Sequence, residues 1–189
     1  MSFLICLFKD IIIYLFIMSA VTITLPKEFP LVLLAGAIIC FECFAIGMAV
    51  VLPARMKTFT KEFMAQFTEE HKKAFPEGEP AVGGWPDAGD GRYSDKLPYK
   101  QWVEFNNAMR VHQNFVEMLP LILTFLVLGG LVLPKAAMYI GFINAAARIV
   151  YTIMYTKYGA NSRALGAIAG SLPLYGLGIA TLIQLLRLL

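Results

Sequence analysis

The stretch RVHQNFVEMLP, Arg110 to Pro120, sets a guanidinium, two amides and a carboxylate inside a chain otherwise rich in apolar residues. At about 100° per helical residue, Arg110, Gln113, Asn114 and Glu117 share one face within an arc of roughly 100°, while His112 points elsewhere. Downstream, Asn144, Arg148, Tyr151 and Tyr155 recur at spacings of four, three and four, within about 60° of one another. An isolated Arg or Glu in mid-bilayer costs at least ~2.5 kcal/mol, so Arg110, Glu117 and Arg148 are expected to be paired, solvated in a cavity, or both. Two readings stay open from these residues alone. One is an internal ion-pair network that ties helices together. The other is a site for a small polar molecule bearing carboxylates and an ammonium, since Arg forks carboxylates and Glu takes amines.

The elements that position these stripes follow from composition. The chain has 189 residues, 58% of them hydrophobic and 15% charged, which places it among membrane proteins. Four apolar blocks approach the roughly 20 residues needed to cross ~30 Å of hydrocarbon. They predict spans over about 29–54, 105–133, 135–158 and 164–187, an all-α transmembrane four-helix bundle. Residues 1–25 form a further apolar stretch broken by Lys9 and Asp10, read either as an extra membrane helix or as a dispensable or processed extension, with Met18 an alternative start.

The long polar loop at 56–104 has two parts. Phe59, Phe63 and Phe67 at i, i+4 and i+8 predict an amphipathic continuation of the first span, its aromatic side against the membrane or a neighbouring helix. The second part, PEGEPAVGGWPDAGDGRYSDKLP, is rich in Gly, Pro and Asp, and a loop so long is either functional or mobile. Its Asp–Gly spacing does not match a calcium loop, and no metal is expected. Cations near the span ends concentrate in the first and third connections, with Arg55, Lys57, Lys61, Lys157 and Arg163, so these connections should face the cytoplasm or its equivalent. The second span's start and the third's end then meet on one side.

Other classes are weakened by what is missing. The net charge of +3 is dispersed, without the basic block that nucleic acid requires. Cys6, Cys40 and Cys43 all lie in apolar stretches, which supports neither a disulfide framework nor a zinc site. A channel is disfavoured, because between Leu121 and Leu133 only Thr124 offers a polar relay. Pro120 and Pro173 are expected to bend their helices, and Gly166 and Gly170 to permit close helix approach inside the bundle or trimer.

RVHQNFVEMLP preceded by FNNAM, with KEFPLVLLAGA, ARIVYTIMY and SRALG, resembles the MAPEG family of membrane-associated proteins in eicosanoid and glutathione metabolism, from Val21 to the end. The resemblance implies a homotrimer of four-helix subunits that holds glutathione, as co-substrate, between neighbouring copies near the cytoplasmic side. Arg110, Asn114, Glu117, Arg148, Tyr151 and Tyr155 match glutathione-contacting positions, and Gln113 is added to them. Arg163 matches the arginine that stabilises the glutathione thiolate, one residue further from Tyr155 than in leukotriene-synthesising members. Arg55 is taken as the cation facing a second substrate, a hydrophobic small molecule or lipid. The expected activity is glutathione transfer or peroxidase chemistry, in an endoplasmic reticulum or nuclear-envelope membrane in preference to a mitochondrial or other one. The rival from a different class is a catalytically silent member that serves as one unlike subunit of a larger membrane complex. Glu42, an acid inside the first span, is expected to pair with an Arg across a subunit contact, to line a wet cavity, or to sit at a lipid edge.

Overall fold

The computed structural model describes residues 24–189, and the proposed extension at 1–25 lies almost wholly outside them. Among the described residues there are helices and no strands. Among these residues, four helical rods are long and apolar enough to cross a membrane: Phe29–Thr58, Tyr99–Val132, Pro134–Tyr158 and Ala160–Leu186.

The first rod begins as α1 (Phe29–Ile46), with Pro30 in its first turn, where a missing N–H loses nothing. It buries Phe29, Val32, Ala35, Ile39 and Cys43 and leaves Leu33, Leu34, Phe41 and Phe44 exposed, as a lipid-facing helix does. The rod then widens into a π turn over Gly47–Val51 before α2 (Leu52–Thr58). Pro53 is the physical reason. It cannot donate to a carbonyl four residues back and its ring crowds that carbonyl, so the Leu52 N–H reaches the Gly47 carbonyl instead.

Two short helices follow, α3 (Lys61–Ala65) and α4 (Thr68–Ala74); Thr60 caps the first by accepting from the Phe63 N–H at 3.2 Å. Phe59, Met64, Phe67, Leu97 and Phe105 then bury one another in a small second core, with Phe63 and Tyr93 against it. The expected aromatic side therefore packs on the chain's own loop and second span. Phe59 meets Phe105 edge-on at 4.9 Å, and Phe67 meets Tyr93 at 4.8 Å.

The second span, α5 (Tyr99–Val132), has 34 residues, about 51 Å of helix and well beyond what hydrocarbon alone requires. Its surplus is at the start, where Trp102 and Asn106 both donate to the Gly89 carbonyl, at 3.1 and 3.0 Å. Leu133 alone separates it from α6 (Pro134–Tyr158): the proline ends one helix and opens the next. Gly159, at φ +86°, closes α6 in a conformation that side-chain-bearing residues avoid; a 3-10 turn, Ala160–Arg163, leads into α7 (Ala164–Leu186).

In the bundle α6 packs against α1, α5 and α7. The main core joins Val32, Ile39, Phe115, Ile122, Leu126 and Leu174. Gly166 and Gly170 do lie inside the bundle. A methyl on Gly166 would come within 2.6 Å of the Tyr151 Cα, and one on Gly170 within 3.2 Å of the Ala147 Cβ. Helix α7 thus presses onto the α6 backbone at this level. Gly166→Ala should lower the unfolding midpoint in detergent by several degrees, at 1–3 kcal/mol for overpacking. Gly176→Ala, with nothing within 4 Å of the added methyl, should leave it unchanged or raise it slightly. Equal midpoints for the two would contradict the close approach.

Candidate functional site

The polar stripe of α6 is buried along its whole length: Asn144, Arg148, Tyr151 and Tyr155 are all at most 7% exposed. The stripe of α5 divides. Asn114 turns toward α6, where its Oδ1 accepts from the Arg148 Nη1 at 3.0 Å. Arg110, Gln113 and Glu117 stay at an open edge of the same face. There Arg110 Nη1 donates to Gln113 Oε1 at 3.3 Å and approaches Glu117 Oε1 at 3.9 Å, with the two charged side chains 48% and 56% exposed. Such exposure is costly at a depth where lipid is the solvent.

Arg148 is held from a second side by the Phe115 ring, 4.7 Å from the guanidinium carbon. Arg163 reaches back from the turn before α7, donating to the Tyr155 hydroxyl oxygen at 3.3 Å and lying over its ring at 5.3 Å. The deep end is fixed by Asn144, whose Nδ2 donates to the Gly170 carbonyl at 3.1 Å; its Oδ1 is buried and unpartnered.

Between α5, α6 and α7 these groups enclose a cavity of about 310 Å³, lined by Arg110, Asn114, Arg148, Tyr151, Arg163 and Tyr175 among others. The volume falls at the lower end of small-molecule pockets. Three guanidiniums line it and no carboxylate does. A carboxylate 4 Å from one guanidinium gains about 4 kcal/mol at an effective dielectric near 20, before desolvation. The arrangement suits a compact molecule with more than one anionic group, long enough to reach from α5 to the α6–α7 turn.

A comparison with protein families matches residues 32–183 to the MAPEG family. The chain belongs to the MAPEG family. With four apolar spans and this membership, it is a multi-pass integral membrane protein. The family match covers all the cavity-lining residues named above.

The structure thus brings together Arg110, Asn114, Arg148, Tyr151 and Arg163, with Tyr155 behind Arg163 and with Gln113 and Glu117 at the rim. It does not bring Arg55 there. Arg55 is 2% exposed and turned into the long loop, donating to the carbonyls of Gly83 (3.0 Å), Gly84 (3.1 Å) and Asp87 and stacking on Trp85 at 3.8 Å. Its Nε and Nη2 are thus committed to loop carbonyls away from the cavity, whereas the sequence expectation is that it faces a second substrate. Sequence reasoning passed over Ser171 and Tyr175, two polar residues one turn apart on α7 that also line the cavity; that spacing was the available signal. Among the described residues, no group of three His, Cys, Asp or Glu side chains is placed to hold a metal.

Proposed function

We propose that the protein is a membrane glutathione transferase with peroxidase capacity, akin to microsomal glutathione S-transferase 3, that activates the glutathione thiol for attack on lipid-soluble electrophiles or hydroperoxides. The observation that carries this reading is the convergence of Arg110, Arg148 and Arg163 on one acid-free cavity. Glutathione offers two carboxylates for those guanidiniums and one ammonium for Glu117, and the fit needs no metal.

Arg163 is assigned to the sulfur. A free thiol has a pKa of about 8.5 and reacts as its thiolate, so a guanidinium beside it raises the reactive fraction at neutral pH. In conjugation the thiolate forms a carbon–sulfur bond while the electrophile's leaving group departs with the bonding pair, or an opened epoxide oxygen takes a proton. In peroxide reduction the thiolate attacks the terminal peroxide oxygen, the O–O bond breaks, and the alkoxide leaves and takes a proton, giving the sulfenic acid of glutathione. A second glutathione then releases the disulfide, leaving an alcohol and water.

The open edge formed by Arg110, Gln113 and Glu117 supports a homotrimer, because a second copy packed there would remove three polar side chains from lipid. The endoplasmic reticulum or nuclear envelope is the proposed location. A silent subunit within an unlike assembly is disfavoured by the preserved cavity. The test is conjugation of glutathione to a lipophilic aryl halide by the detergent-purified protein. Arg163→Ala is expected to lower kcat by 10²- to 10³-fold, the range for losing one preorganised charge-stabilising group. A protein without conjugation or peroxidase activity that still binds glutathione would sink the enzymatic reading and favour the silent one.

A further inference from the structure

A second recess, sharing no residue with the glutathione cavity, opens between the π turn with α2, the start of α5 and the end of α6. Its volume is about 490 Å³, and Lys57, Lys157, Glu104, Asn107, Val50 and Ala54 are among its lining. Glu104 is engaged by Lys57 at 3.7 Å, and Lys100 stands with Lys57 in an adjoining hollow, so cations outnumber acids at this mouth. Val50 also lines an apolar groove of about 210 Å³ that continues toward mid-bilayer past Ala49 and Ile46 on one side and Thr152, Ile149 and Ile153 on the other, as far as Glu42. From Val50 to Glu42 is eight residues, about 12 Å of helix. Ala49 and Val50 of the π turn Gly47–Val51 form the part of the groove wall next to the recess, and π turns inside α-helices recur at functional sites.

We infer that this recess and groove together bind an anionic phospholipid, its phosphate between Lys57 and Lys157 and one acyl chain in the groove beyond Val50. Charge and depth argue together for this occupant. The lysines sit at the ends of the first and third spans, the level of lipid phosphates, and the apolar groove starts directly beneath them. Basic recesses between transmembrane helices are the type of site that takes acidic headgroups, and each lysine near such a surface contributes a factor of about five in affinity. A zwitterionic lipid forgoes that gain through its own cation. The inference does not depend on the glutathione reading, and either can fail alone.

The test is native mass spectrometry of the detergent-purified full chain, titrated with palmitoyl-oleoyl phosphatidylserine or with phosphatidylcholine of the same chains. Phosphatidylserine is expected to bind at least about tenfold more tightly. Joint substitution Lys57→Gln and Lys157→Gln should weaken it about 20-fold, while Lys72→Gln with Lys73→Gln, on solvent-facing α4, should not. Ala49→Phe, at an exposed position in the groove, should weaken the acyl chain's hold without touching the lysines. Four results would overturn the proposal. They are equal affinity for the two lipids, equal loss in both lysine pairs, no effect of Ala49→Phe, and displacement of phosphatidylserine by millimolar inorganic phosphate or by equimolar oleate.

Discussion

Replacing Arg148 with leucine is expected to weaken glutathione binding by at least about 30-fold while leaving the spans folded and their stability little changed. Two effects compete at this residue. An arginine at span centre costs about 2.5–3.5 kcal/mol to place in lipid, and leucine removes that cost. Against it stand one hydrogen bond to Asn114 Oδ1 at 3.0 Å, at about 1.5–3 kcal/mol for a charged donor, and ring contacts with Phe115 and Tyr151 at about 1–2 kcal/mol, so the two effects nearly cancel. Binding has no such compensation. Removing one partner of a desolvated charge pair costs 2–5 kcal/mol, which sets the 30-fold floor. Calorimetric titration with glutathione beside a thermal unfolding curve reads both quantities. If Arg148→Leu unfolded the protein, Arg148 would be a structural tie, and the internal-network reading of the two stripes would be restored.

Arg55→Ala is expected to release the loop between α4 and α5 without unfolding the spans. The guanidinium makes three hydrogen bonds to loop carbonyls at 1.5–3 kcal/mol each, together with a desolvated stacking contact on Trp85. Loss of even ~3 kcal/mol of docking raises the open fraction by about two orders of magnitude. Tryptic cleavage after Arg92 should accelerate accordingly, with helical circular dichroism unchanged. Lysine should not rescue, because a single ammonium lacks the planar fork that reaches separate carbonyls.

The same loop carries its own acid dependence. Burial pushes the Asp87 carboxyl up, but the backbone N–H groups of Ser94, Gly89 and Gly91 and the Ser94 hydroxyl pull it further down, leaving it below the usual carboxylate range. A depressed carboxyl stabilises docking at every pH above its unfolded value near 4, and that stabilisation is lost as pH falls through the folded value. Docking should therefore hold at neutral pH and fail in acid below about pH 4. An unchanged cleavage rate for Arg55→Ala would show that Asp87 and the aromatic cluster dock the loop unaided.

The four spans were legible because hydrocarbon imposes one rule, about 20 apolar residues per crossing, that leaves little to tertiary context. The α6 stripe was legible too, since its four polar residues repeat at helical spacing and all turn inward. What the α5 stripe could not disclose is its division. Residues within one 100° arc can belong to an interior contact, as Asn114 does, or to an open edge, as Gln113 and Glu117 do, and only the placement of α6 decides. The docking of Arg55 into the loop was hidden for a related reason. Its partners lie 28 to 32 residues away in a Gly-rich loop and offer backbone carbonyls, which leave no mark in residue type. The π turn had a visible cause in Pro53, yet a proline inside an apolar span more often reads as a bend.

The central claim is that the cavity among α5, α6 and α7 binds glutathione and holds it as thiolate. The most direct measurement is ultraviolet difference absorbance of the detergent-purified protein titrated with glutathione at neutral pH, alongside Arg163→Ala. The account predicts a saturable thiolate band for the native chain and, in the variant, retained binding with the band largely lost. Saturable binding without a thiolate band, or no binding at all, would contradict it.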